Sequence, residues 1–156
     1  MSAVSFLPKT ARQRRRMYHG AIMNFRLLSS ETNNAISIID ALMTAGSEPA
    51  RHIHSHEDET FTIHAGEVVF FIGDKTITAQ KGDIVFAPRG VAHHYKIRTS
   101  SCRLTMTMTP GNFDQYYWQL SFPYDGNELP VLGAYHSDEE MNAMMYLVEN
   151  YGVEFI

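Results

Sequence analysis

The sequence predicts an all-β (β-rich) domain, a sandwich or barrel of short strands followed by C-terminal helices. Val, Ile, Phe and Thr are frequent from about Tyr18 to Met108, and turn signals with glycine recur at 45–47, 65–67, 73–75, 81–83 and 88–90. Short strands separated by closely spaced turns are typical of sandwiches and barrels. The length of 156 residues fits one domain with its own core.

Alternation of side chains identifies individual strands. Glu59, Phe61 and Ile63 fall on one face of an extended segment, with two threonines between them on the other face. Residues 103–108 alternate in the same way, and the turn at 73–75 predicts a hairpin that joins 68–72 to 76–79. These patterns favour strands with one buried face.

After Pro110 the pattern changes from strands to helices. Residues 112–120 predict a short helix capped by Asn112 or Asp114. Residues 137–150 predict a second helix, with Ser137 as N-cap, acidic residues in the first turn and Gly152 as its stop. We therefore expect an N-terminal arm (1–17), a barrel domain (18–122) and a C-terminal loop and helix packed on the barrel (123–156).

Charge and hydropathy argue against several classes of partner. Residues 1–16 hold five of the thirteen basic residues, all of them at 9–16, so the remaining 140 residues carry 8 basic against 17 acidic residues. An acidic body does not suit a phosphate backbone, so we expect no nucleic acid partner. No apolar run approaches the roughly 18 residues of a membrane span, and the N-terminal region lacks the apolar core of a secretory signal.

The single cysteine, Cys102, cannot form an intrachain disulfide, and we expect it to be a small packing group. Together with the missing secretory signal, this favours a cytoplasmic protein. The acid-poor first thirty residues also resemble an organelle transit peptide, but residues 18–29 already have the pattern of a strand of the fold.

Histidines and carboxylates form two short clusters. Five of the eight histidines lie in the segments 52–59 and 93–94. Residues two apart in a strand share a face, so His52 and His54 point the same way, and a turn through 56–58 would bring Glu59 beside them. The turn at 88–90 can aim His93 into the same cavity. Imidazole and carboxylate ligands suit one divalent ion of iron, nickel, manganese, copper, cobalt or zinc, with one or two open coordination positions.

The alternative interpretation is that these histidines are solvated side chains on loops. It accounts for any one histidine, but it does not account for the flanking glycines and proline. Gly46-x5-His52-x-His54-x4-Glu59-x6-Gly66 matches the first motif of the cupin superfamily, and Gly82-x5-Pro88-x-Gly90-x2-His93 matches the second. Ile97 stands where the family has an asparagine that is not a metal ligand. The resemblance covers about residues 18–122 and implies a double-sheet jelly-roll barrel with the metal inside its mouth.

Within this superfamily, the runs 57–61, 87–93 and 108–113 resemble small cupins that are similar to quercetin dioxygenase. The resemblance implies a small-molecule substrate, possible use of dioxygen and a homodimer, to which the basic arm could contribute. Proteins of many activities share these runs, so they bear on the fold more than on the reaction.

Other side chains near the motifs are given narrower roles. Tyr95 shares the face of His93 and either hydrogen-bonds a ligand or packs; as a catalytic candidate it joins Glu59, which is a metal ligand or a proton acceptor. We expect His56 to be a loop residue, Glu57 and Asp58 to be solvated, and His64 and His94 to lie outside the cavity. The apolar wall for substrate is expected to comprise Phe61, Phe70, Phe86, Met106 and Met108.

Three functions follow from this reading. The first is a metal-dependent dioxygenase acting on a small, aromatic or polyphenol/diketone-like molecule. The second is a non-oxidative isomerase, lyase or cyclase that uses the metal as a Lewis acid. The third is a metabolite-binding module without turnover.

Overall fold

Two antiparallel sheets face each other across one core. The computed structural model describes residues 14–129 and 138–156, and within these ranges the chain forms twelve strands and two α-helices. The strands are β1 (Arg15–Tyr18), β2 (Ala21–Leu27), β3 (Ser37–Thr44), β4 (His52–His54), β5 (Asp58–Ala65), β6 (Glu67–Ile72), β7 (Lys75–Gln80), β8 (Ile84–Ala87), β9 (His93–Ile97), β10 (Ser101–Thr109), β11 (Phe122–Pro123) and β12 (Val153–Phe155). The helices are α1 (Asp114–Leu120) and α2 (Asp138–Asn150).

The larger sheet has the order β11-β1-β2-β3-β10-β5-β8, and the smaller sheet has the order β12-β4-β9-β6-β7. The chain crosses from the smaller sheet to the larger one between β4 and β5, and it crosses back between β5 and β6. Neighbours that are distant in sequence, such as β3 and β10, are typical of a jelly roll. The predicted all-β jelly roll with C-terminal helices is confirmed.

The core lies between the two sheets. On β10, Cys102, Leu104, Met106 and Met108 are buried while the residues between them are less buried, as alternation predicts. Aromatic rings join the layers: Phe61 of the larger sheet lies 5.1 Å from Phe70 and 5.6 Å from Tyr95 of the smaller sheet, measured between ring centroids. These contacts fix the spacing of the two sheets beneath the site described below.

Two turn expectations are met in the structure. Strands β6 and β7 pair from Glu67↔Gln80 to Ile72↔Lys75, so the hairpin at 73–75 is confirmed. Gly66, between β5 and β6, has φ +85°, and a Cβ there would lie 2.6 Å from the backbone oxygen of Ser101. Glycine is therefore required at this crossing of the two sheets.

The segment after β10 closes one end of the fold. Helix α1 begins at Asp114 without the expected side-chain cap; the Asp114 carboxylate instead accepts the backbone N–H of Ser29 at 2.9 Å. Helix α2 ends before Gly152, which has φ +71°. The proposed cap Ser137 lies outside the described residues. Strand β12, which the sequence pattern did not predict, adds to the edge of the smaller sheet beside β4.

The N-terminal side of the fold begins earlier than expected. Strand β1 starts at Arg15, so residues 15–17 of the segment assigned to the arm belong to the larger sheet, and residues 1–13 of that segment lie outside the described residues. The guanidinium of Arg16 lies 4.3 Å from the ring centroid of Trp118 and donates to the carbonyl of Ser121 at 2.6 Å. This contact ties β1 to α1. Among the described residues, the helices lack the length and hydropathy that a membrane-spanning segment needs.

Candidate metal centre

Three imidazoles and one carboxylate converge between the two sheets. His52 and His54 lie on β4, His93 lies on β9, and Glu59 lies on β5 of the opposite sheet. One ligand atom from each residue lies within 4.8 Å of the others. The chain reaches Glu59 by crossing between the sheets at 55–57, so its carboxylate faces the histidines across the interior instead of along one strand.

All four side chains are buried, with exposed fractions of 6% for His52, 1% for His54, 3% for Glu59 and 2% for His93. Glu59 Oε2 lies 2.8 Å from His93 Nε2 and 3.6 Å from His54 Nε2. The His52 ring centroid is 4.5 Å from that of His93 and 5.0 Å from that of His54. Buried charged groups are usually paired or bind metals, so this cluster is a candidate site.

The Nδ1 atom of each histidine has its own acceptor. His52 Nδ1 donates to the carbonyl of Ala50 at 2.7 Å, and His93 Nδ1 donates to the carbonyl of Val91 at 3.0 Å. His54 Nδ1 lies 3.4 Å from Glu57 Oε2. A histidine held in this way presents Nε2 as its ligand atom, which is the arrangement found around protein-bound metals.

Burial and mutual charge set the protonation states. Burial lowers the pKa of His52 to about 4, and the nearby Glu59 only partly opposes this. Burial by itself would raise the pKa of Glu59, but His54 and His93 outweigh it and lower that pKa to about 2. Burial likewise opposes the charged form of His54, but Glu59 and Glu57 raise its pKa overall.

This donor set fits a divalent first-row metal ion. Neutral imidazole nitrogen and ionised carboxylate oxygen are ligands for such ions, and His52 and Glu59 hold these states at neutral pH. His93 Nε2 and Glu59 Oε2, which share a hydrogen bond at 2.8 Å, would both serve as ligands of the ion, and metal binding would release the proton of that bond. The geometry therefore brings together all four residues that the motifs predicted.

A cavity of about 350 Å³ adjoins the cluster on the side of His52. Its wall is mainly aromatic and apolar, and among the described residues no lysine or arginine lines it. The lining includes Tyr18, His19, Met23, Met43, Glu48, His52, Tyr95, Met106, Phe113, Tyr116, Tyr117, Met141, Val148, Val153 and Phe155. The carboxylate of Glu48 is occupied by the backbone N–H groups of Gly46 and Ile97, at 2.8 and 2.7 Å. A cavity of this size and lining can hold a small molecule with an apolar surface.

The expected apolar wall is placed only in part. Of that wall, Met106 lines the cavity, whereas Phe61, Phe70 and Met108 are buried in the core beneath it. The catalytic candidate Tyr95 also lines the cavity. Tyr95 donates its hydroxyl to Met43 Sδ at 3.4 Å.

The expectation for Phe86 is wrong: its side chain is 55% exposed. On β8, Val85 and Ala87 point inward, so alternation turns Phe86 outward, opposite Thr60 of β5.

His56, His64 and His94 lie where they were expected, but one acid does not. His56 is exposed, His94 stacks on Phe71 with ring centroids 4.7 Å apart, and His64 bonds the hydroxyl of Thr105 at 2.6 Å, away from the cluster. Glu57 was expected to be solvated; that is wrong, because it is 1% exposed and lies against His54. The cause is the crossing from β4 to β5 at 55–57, where Ser55 and His56 stay exposed while Glu57 turns inward.

Sequence reasoning missed five aromatic residues of the cavity: Tyr18, Phe113, Tyr116, Tyr117 and Phe155. The hydroxyls of Tyr18 and Tyr116 are 3.0 Å apart, and the rings of Phe113 and Tyr116 stack with centroids 4.7 Å apart. The concentration of aromatic residues at 113–118 was the available signal. A short helix rich in aromatics is expected to bury them against the nearest apolar surface.

The fold and the site together define a jelly-roll protein with a buried cluster of three histidines and one carboxylate. Residues 41–110 match the family described as the Cupin domain. This match, the jelly-roll fold and the cluster together support a small cupin.

Similar proteins agree with this assignment. Over 99 residues the chain is 22% identical to quercetin 2,3-dioxygenase of Bacillus subtilis; the match covers 64% of this chain and 29% of that protein, so the chain spans less than a third of its length. A protein with a double-stranded β-helix domain from Klebsiella pneumoniae superposes with a TM-score of 0.52 at 24% identity, covering 66% of this chain and 89% of that one. The Streptomyces nucleoside dehydratase Pac13 gives 0.56 at 17% identity, covering 68% and 83%. These likenesses to solved structures show the fold.

Proposed function

We propose that the protein is a metal-dependent enzyme that holds one divalent ion on His52, His54, Glu59 and His93. Its substrate is a small aromatic or diketone-like molecule in the adjoining cavity, and its reaction is a dioxygenation. The observation that carries the proposal is the convergence of three oriented imidazoles and one ionised carboxylate beside an aromatic cavity, which no lysine or arginine of the described ranges lines. The partial match to quercetin 2,3-dioxygenase supports the choice of reaction.

The bound metal would supply a Lewis acid and, if it is redox-active, a centre for dioxygen chemistry. The chain would supply binding and orientation. Burial raises the pKa of Tyr18 and of Tyr117 well above the usual value, so both phenols stay protonated and can donate hydrogen bonds to a substrate oxygen. Strand β12 and helix α2 cover the cavity from one side and limit the entry of water.

We assign different roles to the two catalytic candidates. Glu59, whose pKa is lowered to about 2, is a metal ligand in the resting site, and it would accept a proton only if its contacts with His54 and His93 loosened. Tyr95 is bonded to Met43 Sδ, and a thioether is a weak acceptor. A substrate oxygen in the cavity would therefore compete well for the Tyr95 hydroxyl.

Non-oxidative chemistry at the same site is the second candidate function. The Tyr18–Tyr116 hydroxyl pair at the cavity wall provides a route for moving a proton, which an isomerase, lyase or cyclase needs. The same fold serves the nucleoside dehydratase described above. The third candidate, a binding module without turnover, would use the same cavity and ligands.

We also propose a cytoplasmic homodimer. The edge strand β8 presents Ile84 and Phe86, which are 67% and 55% exposed, and large exposed apolar side chains at a sheet edge favour pairing with a second copy. Light scattering coupled to size exclusion tests the dimer. A monomer at micromolar concentration would contradict it.

The experiment that tests the proposed function is elemental analysis of untagged protein together with oxygen uptake on a panel of polyphenols and diketones. About one equivalent of iron, nickel, copper, cobalt or manganese per chain with oxygen uptake is the expected result. One equivalent of metal without uptake would favour the isomerase, lyase or cyclase. No metal after reconstitution would contradict the enzyme and leave the binding module.

A further inference from the structure

Glu57 is a buried carboxylate directly behind one of the proposed ligands. It lies in the crossing between β4 and β5 and is 1% exposed. Its Oε2 atom is 3.4 Å from Nδ1 of His54, on the side of the ring that faces away from Glu59. The residue therefore touches the site through His54 without being one of the four ligands.

The three histidines are not equivalent in this respect. His52 and His93 donate Nδ1–H to the backbone carbonyls of Ala50 and Val91, which carry no net charge. Among the three Nδ1 atoms, only that of His54 faces a carboxylate. A carboxylate that accepts a hydrogen bond from an imidazole makes the other ring nitrogen more basic. His54 Nε2 would therefore be the strongest metal ligand of the three histidine nitrogens.

One carboxylate oxygen of Glu57 lacks a hydrogen-bond partner in the described part of the chain. Within the described ranges, Glu57 Oε1 is buried and has no hydrogen-bond partner. Arg89 attracts Glu57 at longer range but directs its own hydrogen bonds to Asp58 and the carbonyl of Thr109. A buried carboxylate with an unpaired oxygen is costly, which calls for a cation nearby.

The charges of the site provide the reason for such a residue. Three imidazoles bring no charge and Glu59 brings one negative charge, so a divalent ion on these four ligands leaves one positive charge in an apolar interior. A second carboxylate at His54 removes that excess. We infer that Glu57 is a positioning residue of the metal centre: it orients His54 and supplies the second negative charge that a buried divalent ion requires.

This inference rests on the proposed function, and it concerns a residue that the motif does not include. The test is the affinity of the metal-free protein for Co²⁺, measured by competition with a chromophoric chelator, in the wild type, Glu57→Gln and Glu57→Asp. Glutamine keeps the shape and an acceptor oxygen but removes the charge. Asp58→Asn is the matched control, because it removes a carboxylate one residue along the chain that binds Arg89 instead of a ligand.

We expect Glu57→Gln to bind Co²⁺ about 10- to 100-fold more weakly than the wild type. Asp58→Asn should stay within about twofold, since exposed charges are screened by water and salt. The reduction potential of the iron-loaded protein should rise in Glu57→Gln, because a lost negative charge destabilises the oxidised ion. A role in packing alone would not produce that shift.

Each outcome bears on a definite claim. Wild-type affinity and potential in folded Glu57→Gln would overturn the inference while leaving the proposed metal site intact. If Glu57→Gln does not fold, Glu57→Asp decides: retained binding within about tenfold supports a charge requirement, and a loss beyond about a hundredfold in the folded protein overturns it. Failure of the wild type to bind Co²⁺ would overturn the proposed function and this inference with it.

Discussion

Phe155 of β12 lies opposite His52 of β4 in the antiparallel pair of these strands, with ring centroids 6.0 Å apart. Both side chains border the cavity, so a residue outside the matched cupin region forms part of the wall beside a proposed ligand. The C-terminal segment therefore shapes the space in which a substrate would lie.

Removing this ring should enlarge the cavity and leave the metal site intact. We expect Phe155→Ala to keep wild-type metal content and to bind bulkier flavonol-type ligands more tightly than the wild type does, as followed by the fluorescence of the single tryptophan, Trp118. Because Phe155 is 40% exposed, the free energy of unfolding should fall by only about 1–2 kcal/mol. Phe122→Ala, at an exposed position away from the cavity, is the control; equal ligand affinities in the two variants would argue against a wall role for Phe155.

Replacing both His52 and His54 with alanine should abolish metal binding while the protein still folds. The core between the sheets is formed by apolar side chains that do not depend on an ion. Elemental analysis after reconstitution measures the metal, and circular dichroism measures the fold. His94→Ala is the control, since His94 adjoins a ligand but stacks on Phe71 outside the cluster. Stoichiometric metal in the folded double variant would disprove the ligand assignment.

Phe61 of β5 and Phe86 of the neighbouring strand β8 lie on opposite faces of the sheet, and they should differ strongly in their effect on stability. Phe61 is 1% exposed and packs against Phe70, so Phe61→Ala should lower the free energy of unfolding by about 3–5 kcal/mol. Phe86 is 55% exposed in the protomer, and Phe86→Ala should change the protomer's free energy of unfolding by about 0.5 kcal/mol or less. Urea unfolding of both variants, at a protein concentration where light scattering detects only the protomer, measures these values. A similar loss in both variants would show that Phe86 is buried within the protomer.

Cys102 should be inert in the native protein. Its side chain is 1% exposed, and burial, with a smaller contribution from Glu48, raises the pKa of its thiol to about 12. The thiolate is the reactive form, so iodoacetamide at pH 8 should not label the folded protein. The denatured protein should be labelled fully, which serves as the control; rapid labelling in the native state would contradict the packing role.

The alternation of side chains along strands and the spacing of the motifs account for what the sequence could predict about the site. His52 and His54 share a face because β4 is extended, and the motif spacing indicated that Glu59 and His93 belong with them. The burial of Glu57 could not be predicted in this way, because it lies in a non-repetitive crossing where side-chain direction has no period. Glu57 is also followed by two further acidic residues, a pattern that is typical of solvated loops.

Two further differences have a related cause. Residues 84–87 are all apolar, so the pattern could not show which face of β8 is buried, and Phe86 was placed on the wrong one. Strand β12 has only three residues, too few for alternation to be recognised. Its position depends on a long-range partner, β4, that local sequence does not reveal.

The pairing of β12 with β4 helps to keep the side chains of His52 and His54 on the face that points toward Glu59. Strand β4 meets β9 through the single pair His52↔His93, whereas β12 contributes three consecutive pairs along its other side. A slip of one residue in β4 would turn both histidines to the opposite face. Strand β12 therefore helps to fix the register of β4. It also pairs with a strand edge that would otherwise be open. The orientation of His52 and His54 thus depends partly on the three residues of β12, which lie about a hundred positions further along the chain.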